Sequence, residues 1–156
     1  MSSLTHGFEL TMSGRKGQTV VMVRMFVGSA ISGRRKASNS LSVSFNLGPR
    51  PVEEVEAIMA AVVEHWQPST AAARDTATAS LSGGRGHFAP IIGQRTWLRD
   101  DLGTITVAPD GVHIGAVAGG TLLLADNGWQ PQQVIDAMVK TLALNSITTI
   151  SRGPQK

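Results

Sequence analysis

From Phe8 to Met12 and from Thr19 to Phe26 the chain is β-branched or apolar, with Gly14, Arg15, Lys16 and Gly17 between the two runs, which reads as a hairpin. A polar stretch from Ser29 to Ser40 follows, and then Leu41, Val43, Phe45 and Leu47 alternate with polar residues, the period of a half-buried strand. Gly48 and Pro49 break that strand. Pro51 suits the first turn of a helix, where its missing N–H has no partner in any case. Val52, Val55, Ile58, Met59, Val62 and Trp66 then recur at spacings of three and four, predicting a helix that Pro68 ends. Glu53, Glu54 and Glu56 lie near its positive end.

The segment Thr70 to Leu81, rich in Ala, Thr and Ser, reads either as a weak helix or as an exposed loop. After a turn at Gly83-Gly-Arg-Gly86, the runs Ile91 to Leu98, Gly103 to Val107, Val112 to Val117 and Thr121 to Leu124 read as short strands separated by Gly, Asp and Pro. Pro131 opens a second helix, with Val134, Ile135, Met138 and Leu142 as its apolar stripe and an end near Asn145; Ile147 to Ile150 reads as an edge strand. No repeat of fixed period is present. Three strands, a helix, four strands and a helix give an α+β class: an antiparallel sheet of about six to eight strands with the two main helices packed on one face.

The 156 residues fit one domain, 1–156, with enough chain to bury a core. Charged residues at 16% and hydrophobic ones at 42% exclude a charged disordered tail. With no cysteine, disulfide scaffolds, thiolate zinc sites and cysteine nucleophiles are excluded. The start of the chain lacks the basic and apolar regions of a signal peptide, and the longest uncharged stretch, between Asp110 and Asp126, is interrupted by glycines and His113. The expectation is a cytoplasmic protein with no membrane partner. The net charge of +3 is uneven. Residues 1–50 hold seven basic side chains against Glu9, a net of +6, and the remainder seven against ten, a net of −3. Such polarity marks either a face for an acidic partner or an internal balance.

Catalytic signals are sparse. Gly28 and Gly33 have the spacing of a phosphate-binding loop, but Arg34 and Arg35 stand where the lysine and the hydroxyl belong. Gly84, Gly86 and Ala89 fit a dinucleotide fingerprint by letter, yet a strand follows where a helix is required. His6, His65, His87 and His113 are scattered without helical pairing, so neither a metal nor a cofactor is expected. His65 suits the negative end of the first helix. Asp100 and Asp101 read as a turn before Gly103. Arg34, Arg35 and Lys36 form a basic run, read as an exposed loop; it lacks the interleaved aromatics of a single-strand binder, so no direct nucleic-acid partner is expected.

Trp66 and Pro68 at a helix end, then Gly93, Thr96 and Leu98 in Gly93-Gln-Arg-Thr-Trp-Leu98, then Gly119-Gly-Thr-Leu-Leu-Leu124 before a last helix, form an ordered set of motifs. The set resembles the immunity protein 52 family of bacterial polymorphic toxin systems, with Gln94 where that family has Trp and Trp97 where it has Tyr. The likeness spans roughly residues 40–145. It implies a non-catalytic cytoplasmic antitoxin that binds a cognate toxin effector, such as one delivered by type VI secretion and often a nuclease of restriction-endonuclease fold. The net basic charge runs against a nuclease partner, whose DNA-binding cleft calls for an acidic inhibitor.

On packing grounds Trp66 is a core anchor at the end of its helix stripe. Trp97 shares strand parity with Arg95 and Arg99, which places it either on an exposed binding face or over the edge of a core. The expected partner-binding set is Arg95, Trp97, Arg99, Asp100 and Asp101, which combines an amphipathic aromatic with both signs of charge beside a turn. The alternative, from another class, is a small α+β hydrolase or ligand-binding domain whose site the pattern does not single out.

Overall fold

The computed structural model describes residues 8–16, 19–29, 38–45, 51–85 and 89–150. Arg34, Arg35, Lys36, His6 and His87 lie outside them. The chain divides into two compact units, residues 1–49 with 153–156 and residues 50–152.

In the first unit, β1 (Phe8–Lys16), β2 (Thr19–Ser29) and β3 (Ser38–Phe45) form an antiparallel sheet in the order β1-β2-β3. Leu10 pairs with Met25 and Met12 with Val23; on the other side of β2, Val23 pairs with Val43 and Met25 with Leu41. Directly paired residues share a face and neighbours along a strand alternate. One face therefore carries Leu10, Met12, Val21, Val23, Met25, Leu41 and Val43, and the other carries Thr11, Ser13, Arg15, Met22, Arg24 and Ser44. None of these side chains is buried, and Met12 is 50% exposed.

The second unit runs α1 (Val52–Trp66), β4 (Thr70–Ala73), α2 (Thr76–Ser82), β5 (Arg95–Arg99), a 3-10 turn (Asp100–Leu102), β6 (Val112–Val117), β7 (Gly120–Ala125) and α3 (Pro131–Leu144). Its four strands are antiparallel in the order β4-β5-β7-β6, with β5 and β7 central. Alternation along β5 puts Trp97 on one face and Leu98 on the other. Met59 and Val63 of α1 pack with Trp97, Ala71, Ala73, Val117 and Leu122 on the first face. Val134, Ile135, Met138 and Leu142 of α3 pack with Leu98, Leu123, Ala125 and Ile92 on the second.

The class is α+β with seven strands among the described residues, as the pattern implies. Two details differ from expectation. The strands divide between two sheets, and α1 and α3 cover opposite faces of the four-stranded one. The cause is visible in β5 and β7: Thr96-Trp-Leu98 and Leu122-Leu-Leu-Ala125 are apolar at odd and even positions alike, so both faces need a cover.

Local chemistry sets the element ends. Gln67 takes a left-handed conformation (φ 45°) and its N–H donates to the Val63 carbonyl, closing α1 before Pro68. Asp75 caps α2, its carboxylate accepting from the Thr78 N–H at 2.7 Å. Gln130 and Gln133 cap α3 reciprocally, with Pro131 at its first position. Gly103 to Val107, expected as a strand, join no ladder; the Asn145 side chain accepts from the Thr106 and Val107 N–H groups and donates to the Val107 carbonyl instead. Residues 147–150 form no strand either, and Ile147 and Ile150 are buried.

Candidate functional site

Strand parity places Arg95, Trp97 and Arg99 on one face of β5, as expected, but α1 lies over that face. Trp97 is 1% exposed, and its indole Nε1 donates to the Val117 carbonyl at 2.7 Å. Of its two readings, the core one is correct.

Arg95 is buried as well, at 7% exposure. Its Nε donates to Glu56 Oε1 of α1 at 3.0 Å, Nη1 to the Gln94 and Ala125 carbonyls, and Nη2 to Asn127 Oδ1. The planar guanidinium thereby ties α1, β5 and the loop after β7 together, with its charge met by Glu56. A buried arginine is tolerable only with such partners. Sequence parity finds the face; it does not reveal that a helix 30 residues upstream returns to cover it.

The other three predicted residues lie at the open end of the strand. Arg99 grips Asp101 with two parallel hydrogen bonds, Nε to Oδ1 at 2.8 Å and Nη2 to Oδ2 at 2.7 Å, and its Nη1 reaches the Gln67 carbonyl at 3.3 Å. The bond from Arg99 holds the Asp101 carboxyl below its usual range, and the same bond raises the guanidinium. Asp100 is exposed, with its N–H on the Gly119 carbonyl and its carboxylate 3.5 Å from Thr121 Oγ1. Arg99, Asp100 and Asp101 therefore form a fixed polar surface of both charge signs, whereas Arg95 and Trp97 belong to the packing beneath it.

The motif residues have packing roles. A side chain on Gly93 would overlap the Ala73 carbonyl, Thr96 Oγ1 bonds back to both the Gly93 N–H and its carbonyl, and Leu98 is fully buried. Trp66 is half-buried at the end of α1 rather than a fully buried anchor. His113 meets Asp126 at 2.9 Å on the surface. Among the described residues no three His, Asp or Glu side chains gather where they could hold a metal, and no helix is long and apolar enough to cross a membrane.

Two features escape the sequence reading. The first is the unburied apolar face of the three-stranded sheet, whose signal is the joint alternation of residues 10–12, 21–25 and 41–43. The second is a cavity of about 180 Å³ lined by Arg74, Ser82, Gly83, Arg85 and residues 89–92, where strand end, helix end and loop meet. Arg74 belongs to no motif and Arg85 only to the Gly83-Gly-Arg-Gly86 turn, so their convergence in space is what marks them. No family model, curated protein or solved structure matches the chain, so the family likeness rests on the short motifs alone.

Proposed function

We propose that this protein is a non-catalytic immunity protein that binds a cognate interbacterial toxin domain and neutralises it in the cytoplasm. The observation that carries the reading is the β1-β2-β3 sheet, with seven apolar side chains on one face and none of them buried. An apolar surface of that extent, set in a segment of net charge +6, is suited to a partner with an apolar patch rimmed by acidic residues. The motif order from Trp66 to Leu124 adds the family resemblance. Arg99, Asp100 and Asp101 offer a second, polar surface. A nuclease delivered by type VI secretion fits as the toxin only if the net acidic remainder of the chain faces its DNA-binding cleft.

The test is co-expression with the toxin domain encoded beside it, read by co-purification and by rescue of cell growth. The expected result is a stable complex that a Leu10→Ser, Met12→Ser double variant weakens more than tenfold. Toxicity unrelieved by the wild-type protein would overturn the proposal. A double variant that binds normally while Arg99→Ala, Asp101→Ala does not would move the interface to the strand end. A second reading, a ligand-binding domain, is favoured by the cavity at Arg74 and Arg85.

A further inference from the structure

Arg74 follows β4, Arg85 lies in the turn after α2, and both line the same 180 Å³ cavity with the Ser82 hydroxyl between them in sequence. Each guanidinium meets only neutral oxygen. Arg74 Nη1 donates to Ser82 Oγ at 3.1 Å, and Arg85 Nη1 to the Pro90 carbonyl at 2.9 Å. Asp75, the nearest carboxylate in sequence, caps α2 by accepting from the Thr78 N–H and does not line the cavity. Neither arginine forms an ion pair among the described residues, in contrast to Arg95 with Glu56 and Arg99 with Asp101.

Two positive charges lining one small cavity repel each other, and the partial burial of Arg85 removes some of the water that would screen them. Burial also pushes the Arg85 guanidinium below its ordinary value. Each side chain keeps unused N–H donors in a planar fork, which matches the oxygens of a tetrahedral anion. The far wall, Pro90 to Ile92, is largely apolar and supplies no acid to compete.

We propose that this cavity binds a phosphate group, with Arg74 and Arg85 as its two cationic clamps; the Ser82 hydroxyl, which accepts from Arg74 and donates to the Ala79 carbonyl, positions the first of them. The site is independent of toxin binding. Inorganic phosphate and the terminal phosphate of a small monoester share this chemistry, and the volume accommodates the group with few further atoms.

The experiment uses the full-length protein, melted at fixed pH and ionic strength while sodium chloride is exchanged for phosphate, with titration calorimetry alongside. Phosphate is expected to raise the melting temperature along a saturating curve. Arg74→Gln and Arg85→Gln are each expected to raise the half-saturating concentration tenfold or more, whereas Lys140→Gln, on the exposed side of α3, leaves it unchanged. Glycerol phosphate binding more tightly than inorganic phosphate would identify a monoester as the occupant; the reverse order would identify the free ion. A linear, non-saturating rise, an equal response to acetate, or an Arg74→Gln variant that responds like wild type would overturn the site. Arg74 is exposed, so its variant carries the test even where Arg85→Gln fails to fold.

Discussion

The indole of Trp97 fills the space that a side chain on Gly120 would need: a Cβ there would overlap Cε2 and Cζ2 of the ring. Gly120 pairs with Arg99 across the ladder, one step along from Trp97 on the same face, so the bare backbone is what lets the ring lie flat beneath α1. Gly120→Ala is therefore expected to cost about 1–3 kcal/mol through overpacking. Denaturant unfolding should show a lower midpoint with an unchanged slope.

Trp97→Ala should cost more, about 3–5 kcal/mol, because a fully buried ring is removed and the Val117 carbonyl loses its donor. Trp66→Ala, at a half-buried helix end, should cost roughly 1–3 kcal/mol. Chemical denaturation of the two variants side by side gives the ranking, and an inverted order would exchange their roles.

Asp75 gives a pH signature. The hydrogen bond from the Thr78 N–H lowers its pKa, so the charged cap is favoured in the folded state. Its contribution is complete above the ordinary carboxyl pKa of about 4 and is lost as pH falls through the lowered folded value. Asp75→Ala should destabilise by about 0.5–2 kcal/mol at pH 7, and the gap to wild type should close in acid. Asp75→Asn should keep most of the cap and lose that pH dependence.

Leu10→Ser with Met12→Ser should leave the stability of the free protein within about 1 kcal/mol of wild type, because both side chains are exposed. A large loss in thermal melts of the isolated protein would place that face in a core and remove the carrying observation for partner binding.

The two long helices were legible because each combines a 3.6-residue stripe with proline at its start, and β3 because its alternation is strict. β4 was not, since Thr70-Ala-Ala-Ala73 has no β-branched run and alanine favours helices. Only pairing with β5 explains it: Ala71 and Ala73 sit beside Trp97 under α1, where their small size makes room for the ring. The candidate site was half legible for the same reason. Parity along β5 groups Arg95, Trp97 and Arg99 correctly, while the burial of the first two depends on Glu56, Met59 and Val63, contributed by a distant helix. Arg74 and Arg85 stand eleven positions apart with no periodic relation, so their approach exists only in the folded chain.

Asn145 pins the chain after the 3-10 turn to the end of α3. Its amide serves two acceptor bonds and two donor bonds at once, the donors going to the Val107 and Thr141 carbonyls at 2.7 Å each. Hydrolysis of that amide to a carboxylate would leave the acceptors in place and turn each donor contact into oxygen facing oxygen. Residues 104–109, which have no ladder of their own, would then lose one side of their tether. Such a change would be registered as release of that segment with the sheet still intact.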